Sequence, residues 1–253
     1  MSLNSKTLEW ENKNIWIIGA SQGIGKALAV ELLDRGCNLF LTSRKIDSES
    51  FKLKHSGMLS FYNGDITNLD DMSDIFYEIE KNYMLDFVIF SQAIYDPGIS
   101  ISKIDSYNLS SFRTNFLSVY AFTPILIDKF RKRKTGSIVF ISSLAANFYT
   151  ANSGAYSLSK NSLSYYSKLI YLENKRYNLN VFLVEPGFVK TRLTEKNKFK
   201  MPFIISAESA AKFIIHGIEK GKFIIKFPLF LRLLISIYNL IPDYIKFKIF
   251  RKK

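Results

Sequence analysis

Seven short runs along the chain are almost wholly apolar and rich in branched or aromatic residues: NIWIIG (14–19), NLFLTS (38–43), LSFYNG (59–64), LDFVIF (85–90), SIVFIS (137–142), NVFLVE (180–185) and KFIIKF (222–227). Runs of this length and composition predict strands, and most of the segments between them place apolar residues at helical spacing instead. Ile24 to Arg35 is one such segment, following a glycine cluster and closed by Gly36. Strand and helix in alternation predict an α/β fold, a doubly wound parallel sheet with helices on both faces. No internal repeat, low-complexity stretch or Pro/Gly/Ser linker divides the chain, so one domain is expected over residues 1–227 and a distinct tail over 228–253.

The tail has its own pattern. Arg232, Ser236, Asn239 and Asp243 recur at helical intervals, predicting an amphipathic helix with one narrow polar stripe and a broad apolar face. Its longest uncharged apolar stretch, Leu233 to Pro242, is far shorter than the roughly 20 residues a membrane span needs. Net charge is +13, and from Lys220 onward nine basic residues face the single acid Asp243, so an anionic partner would meet this end of the chain. Two placements fit: peripheral contact with a membrane surface carrying anionic head groups, or packing on the chain's own domain or on a second subunit.

Composition removes several other classes. At 253 residues with 47% hydrophobic content the chain can bury a large core. The lone Cys37 excludes an intrachain disulfide, and His55 and His216 have no metal-ligand spacing, so no metal and a reducing, cytoplasmic setting are expected. The first residues, MSLNSKTLEWENKN, contain no apolar run of signal-peptide length. Nucleic acid is not an expected partner, because the basic residues lie among aliphatic ones with no aromatic platform or groove-reading helix.

Two constellations carry chemistry. Gly19-Ala-Ser21-Gln22-Gly23-Ile24-Gly25 sits between the first strand and the first helix, where glycines let the backbone turn sharply and approach a pyrophosphate at the helix N-terminus. In GAYSLSKNSL (154–163), Tyr156 and Lys160 lie one helical turn apart, so a phenol and an ammonium leave the same face of a helix. A neighbouring ammonium is expected to lower the phenol's pKa and suit it to acid–base work.

Glycines at this spacing followed by Y-x-x-x-K resemble the classical short-chain dehydrogenase/reductase family, and the likeness runs from about Asn14 to Thr191. The resemblance implies a Rossmann-type sheet, a nicotinamide dinucleotide, and a carbonyl or alcohol as the small-molecule substrate. It implies that Tyr156 exchanges the proton with the substrate oxygen, that Lys160 tunes it and bonds the nicotinamide ribose, that Ser143 holds the substrate oxygen, and that Asn115 orders a water leading from Lys160. Asp65, with Ile66 beside it, corresponds to the family's adenine contact, and Pro186, Gly187, Val189 and Thr191 to the segment that closes over the nicotinamide. Departures are Ile18, where the family usually has threonine, and Ser91-Gln92-Ala93-Ile94, where it usually reads N-N-A-G.

At the end of the second strand, Ser43 and Arg44 present a hydroxyl and a guanidinium where an acid would repel a 2′-phosphate, so NADP(H) is the expected cofactor, with NAD(H) the alternative. The expected activity is NADPH-dependent reduction of a ketone or aldehyde, or the reverse alcohol oxidation. Phe188, Leu193, Phe199, Met201 and Phe203 fall in the family's substrate-covering loop and would suit a lipophilic substrate if they face the pocket. A non-catalytic NADP-sensing or membrane-peripheral protein of the same fold is the alternative; it has no need of the intact Ser143, Tyr156 and Lys160. Family members commonly pair through the tyrosine-bearing helix, so a homodimer is expected, and Leu158, Leu163, Tyr166 and Ile170 are compatible with either a partner face or the core.

Overall fold

Along β1 (Asn14–Ile18), Ile15 and Ile17 enter the core on one face of the sheet while Trp16 and Ile18 enter the core on the other. The same division holds in β4 (Phe87–Phe90), β5 (Ser137–Ile141) and β6 (Asn180–Pro186). Side chains alternate along a strand, but with both faces covered every position is apolar, which is why the sequence reads as unbroken runs. With β2 (Asn38–Ser43), β3 (Leu59–Asn63) and β7 (Ile224–Phe227), these strands form one parallel sheet in the order β3-β2-β1-β4-β5-β6-β7. The computed structural model describes residues 3–46, 48–51, 57–97, 101–102, 106–149 and 154–250; His55 and the terminal Arg251, Lys252 and Lys253 lie outside them.

Helices α1 (Gly23–Leu33) and α6 (Ala207–Glu219) cover the first face. The second is covered by α2 (Leu69–Asn82), α4 (Ser118–Arg133) and α5 (Gly154–Asn174), with the short α3 (Ser106–Phe112) leading into α4. The centre of this second core is aromatic: Trp16 meets Phe122 edge-on at 5.6 Å and Phe90 stacks on Phe140 at 5.5 Å. Chain order runs outward from β1 to β3 and then returns to β4 beside β1, which opens a crevice at the carboxyl ends of these two strands.

The expected strands are all present. Helix α1 ends two residues before Arg35, because Gly36 adopts φ +76 and its N–H bonds the Leu33 carbonyl, drawing the chain off the helix axis. The tail departs further from expectation. It forms two helices, α7 (Leu229–Leu240) and α8 (Asp243–Phe250), where the polar spacing implies one. Pro242 has no N–H to continue α7 and its ring would clash with the preceding turn. Asp243 thereby leaves the stripe of Arg232, Ser236 and Asn239, and its carboxylate accepts hydrogen bonds from the Tyr149 hydroxyl at 2.6 Å and Lys246 Nζ at 3.2 Å. Among the described residues no helix is long and apolar enough to cross a membrane, and no His/Cys/Asp/Glu group is arranged to hold a metal.

Candidate active site

The crevice becomes a cleft of about 580 Å³. Gly19, Ser21, Gln22, Gly23 and Ile24 form its wall at the first turn of α1, where helix N–H groups favour anions. Gly19 takes φ +88, and a Cβ there would stand 2.5 Å from the Gln92 backbone nitrogen. Gly25 lies behind the wall, not on it: a Cβ on Gly25 would come 2.3 Å from the Gly19 carbonyl oxygen, so this glycine lets the turn pack on its own helix. Ser43 ends β2 and Arg44 follows it onto the wall, Asp65 and Ile66 come after β3, and Pro186 at the end of β6 is followed by Gly187, Val189 and Thr191. Asp65 also braces its own loop, one carboxylate oxygen accepting from both the N–H and the hydroxyl of Thr67 at 2.9 Å.

Tyr156, Lys160 and Ser143 line the same cleft. Lys160 is 2% exposed and its Nζ donates to the Ile141 carbonyl at 2.8 Å. Burial holds its pKa down at about 7, far below a free lysine. Burial pushes the Tyr156 phenol up to about 12, against the pull of a hydrogen bond from Ser143. This corrects the expectation that Lys160 lowers the phenol. The ammonium is turned onto a backbone carbonyl, 6.0 Å from the Tyr156 ring centre, and desolvation dominates both groups. Ser143 combines two roles: its Oγ accepts from the Ala145 N–H at 3.1 Å as a cap, and it stands beside the phenol.

Asn115 sits in a π-helical turn, Arg113–Leu117, between α3 and α4, and is fully buried off the cleft wall. Its Oδ1 accepts from the Ile94 N–H at 2.8 Å, while its Nδ2 donates to the Ile94 carbonyl at 2.9 Å and the Ser159 hydroxyl at 3.1 Å. The side chain therefore clamps the loop after β4 to the helix that bears Tyr156 and Lys160.

Several wall residues escaped the sequence reading. Lys45, next to Arg44, and Arg192, next to Thr191, add positive charge and were visible as neighbours of named positions. Tyr95 gave no sequence signal. Its ring packs at 4.8 Å from Tyr156, its hydroxyl donates to Asn197 Oδ1 at 2.7 Å, and Lys196 Nζ donates to its carbonyl, so the loop after β4 is joined to the segment after β6. Within that segment, Leu193 lines the cleft, whereas Phe199 and Phe203 are exposed on its outer side.

The cleft fits a dinucleotide. The first turn of α1 presents helix N–H groups to it beside Gly19 and Gly23, and the buried Gln92 Oε1, an acceptor on the wall, has no hydrogen-bond partner among the described residues. Residues 13–201 match the family model described as short chain dehydrogenase. A 3-oxoacyl-(acyl-carrier-protein) reductase of Buchnera aphidicola subsp. Schizaphis graminum is 29% identical over 85% of this chain and 93% of its own length. An 11-beta-hydroxysteroid dehydrogenase-like 3 protein of Arabidopsis thaliana is 28% identical over 96% of this chain and 82% of its own. Among solved structures, a short-chain dehydrogenase from Sphingobium yanoikuyae in complex with NADPH superposes with TM-score 0.77 at 16% identity, covering 91% of this chain and 96% of that one. A short-chain dehydrogenase from Burkholderia cenocepacia in complex with NADP gives TM-score 0.76 at 17% identity, over 93% of this chain and 100% of its own. With a family match over most of its length, and with tyrosine, lysine and serine around one cleft beside a glycine turn, the chain belongs to the short-chain dehydrogenase/reductase family of oxidoreductases.

Proposed function

We propose that this protein reduces a lipophilic ketone or aldehyde with NADPH, working as a homodimer. The observation that carries this reading is Tyr156, Lys160 and Ser143 lining one cleft together with the glycine turn. A protonated phenol is the group that reduction requires, since the carbonyl oxygen gains negative charge as hydride arrives at carbon and takes its proton from Tyr156 Oη. The nicotinamide, when bound, supplies the hydride. Ser143 stands where it can donate to the same oxygen, and Lys160, fixed on the Ile141 carbonyl, presents polar hydrogens to the ribose side of the cleft.

Preference for the phosphorylated dinucleotide rests on Arg44 and Lys45 at the rim beside Ser43, with no carboxylate at that strand end. Support for a lipophilic substrate comes from Ile94 and Leu193 on the cleft wall and from the Tyr95 ring packed on Tyr156. The names of the two curated relatives, a 3-oxoacyl reductase and a hydroxysteroid dehydrogenase-like protein, also describe carbonyl or alcohol centres on apolar frames.

The test is NADPH oxidation across short-chain and long-chain aldehydes and ketones. Tyr156→Phe should lower turnover by about 10²-fold or more while NADPH binding persists. Arg44→Ala should shift the NADPH-over-NADH preference by about tenfold. Turnover that survives Tyr156→Phe removes the mechanism, an unchanged preference in Arg44→Ala removes the cofactor assignment, and faster turnover of short substrates than long ones removes the lipophilic pocket.

A further inference from the structure

Helix α7 has three faces. Leu231, Ile235 and Tyr238 turn toward the domain, and Ile235 is 8% exposed. Arg232, Ser236 and Asn239 form a polar strip. The remaining arc, about 140° at about 3.6 residues per turn, carries Leu229, Phe230, Leu233, Leu234, Ile237 and Leu240, all exposed, with Leu240 at 84%. A soluble surface scatters its apolar residues; a continuous helical face of six is a contact surface.

The face extends beyond the helix. Phe203 holds a left-handed backbone, φ 57, which a bulky side chain adopts only under constraint, and its ring stacks on Phe230 at 5.5 Å. Phe199 and Ile204 on the same segment are also exposed. A Cβ at Gly187 would come 2.6 Å from Leu231, so α7 lies directly against the strand end that forms the cleft wall.

Charge identifies the occupant. Lys198 and Lys200 at the segment, Arg232 on α7 and Lys248 on the following α8 are exposed, and the sequence closes on Arg251-Lys252-Lys253. The tail's one acid, Asp243, is already engaged by Tyr149 and Lys246. A second copy pairing through this face would bring each cation toward its own symmetry mate, which costs affinity, whereas an anionic lipid surface meets both the apolar arc and the cations. We propose that α7 and the outer edge of segment 199–204 dock together on a bilayer carrying anionic head groups, lying in its interface with the cleft held against the lipid. The apolar residues would enter the head-group boundary, with Arg232 and the lysines at the phosphates. This surface does not depend on the reductase reading.

The experiment is flotation of the full chain with vesicles of phosphatidylcholine alone and of phosphatidylcholine with about one-quarter phosphatidylserine, beside the double variant Leu233→Glu/Ile237→Glu. Both positions are exposed, at 47% and 61%, so the variant should melt at the wild-type temperature. Wild type is expected to float with the phosphatidylserine vesicles, with binding about tenfold weaker on neutral vesicles or in high salt. The variant should lose about tenfold or more on the anionic vesicles. Wild type left unbound by phosphatidylserine vesicles, or equal flotation of the variant, overturns the proposal. So does a variant whose only change is dissociation of a wild-type oligomer in sedimentation, which would assign the face to a second copy.

Discussion

Lys160 shows how far one residue can be held from its ordinary chemistry. Its ammonium is enclosed, its Nζ donates to the neutral carbonyl of Ile141, and burial lowers its pKa to about 7. An unfolded lysine titrates near 10.4, so between these values the unfolded chain binds the extra proton and stability rises with pH. The penalty is present in full below about pH 7, on the order of 5 kcal/mol, and fades as pH approaches the unfolded value. Replacing the ammonium with a methyl thioether of similar length removes that penalty and forfeits one hydrogen bond. Lys160→Met should therefore be about 2 kcal/mol more stable than wild type at pH 7 in the absence of cofactor, although it should lose activity. The gap should narrow steadily toward pH 10 in urea titrations. A gap that does not change with pH, or a variant less stable than wild type at pH 7, would show that Lys160 is not held against its own charge.

At the scale of elements, the site depends on contacts between segments far apart in sequence. Glu185 on β6 is 1% exposed and accepts from Lys226 Nζ of β7 at 2.6 Å, Asn147 Nδ2 at 2.9 Å and Ser164 Oγ of α5 at 2.9 Å. Ser164 is joined to Ser142 at 2.8 Å, and Ser142 donates to the Lys160 backbone carbonyl, so one polar network runs from the sheet edge to the helix of the reacting groups. Removing the half-buried cation strands a buried carboxylate. Lys226→Met should cost about 3 kcal/mol, most of it recovered in Glu185→Gln/Lys226→Met. A loss below about 1 kcal/mol for the single variant would mark the pair as screened by solvent. None of this network was legible in the sequence, where Glu185 simply closed one apolar run and Lys226 sat within another. The strands themselves were legible because burial on both faces makes them continuous, and the glycine turn and Tyr156-x-x-x-Lys160 because their chemistry needs fixed spacing. Pairings such as Tyr95 with Asn197, or Tyr149 with Asp243, follow from the tertiary fold and leave no periodic trace. Pro242 did leave one, and the polar stripe was extended through it.

Among the described residues, the apolar surfaces on α5 and α7 differ in their electrostatics. On α5 the sequence offered Leu158, Leu163, Tyr166 and Ile170 as partner face or core; Leu163, Tyr166 and Ile170 are buried in the chain's own core, and Leu158 alone of these faces out. It is joined by Tyr165, Leu169 and Leu172, exposed at 64%, 42% and 71%, and by Leu117 and Tyr120 at the start of the neighbouring helix, at 45% and 55%. These residues recur at intervals of seven, four and three along α5, giving an apolar stripe suited to an antiparallel copy of the same helix. Aromatic and leucine anchors of this kind carry most of the affinity where they are buried at the centre of an interface. Tyr165→Glu/Leu169→Glu would place four carboxylates at the centre of the proposed twofold contact, so the dissociation constant of the proposed dimer should rise by about 100-fold and sedimentation should shift to a monomer. The α7 variant Leu233→Glu/Ile237→Glu should sediment as wild type, since its surface lies elsewhere. If the α5 variant sediments as wild type, the tyrosine-bearing helix is not the pairing element. If the α7 variant alone becomes monomeric, the two surfaces have been assigned in reverse, and lysine-rich edges would have to be reconciled with a self-complementary interface.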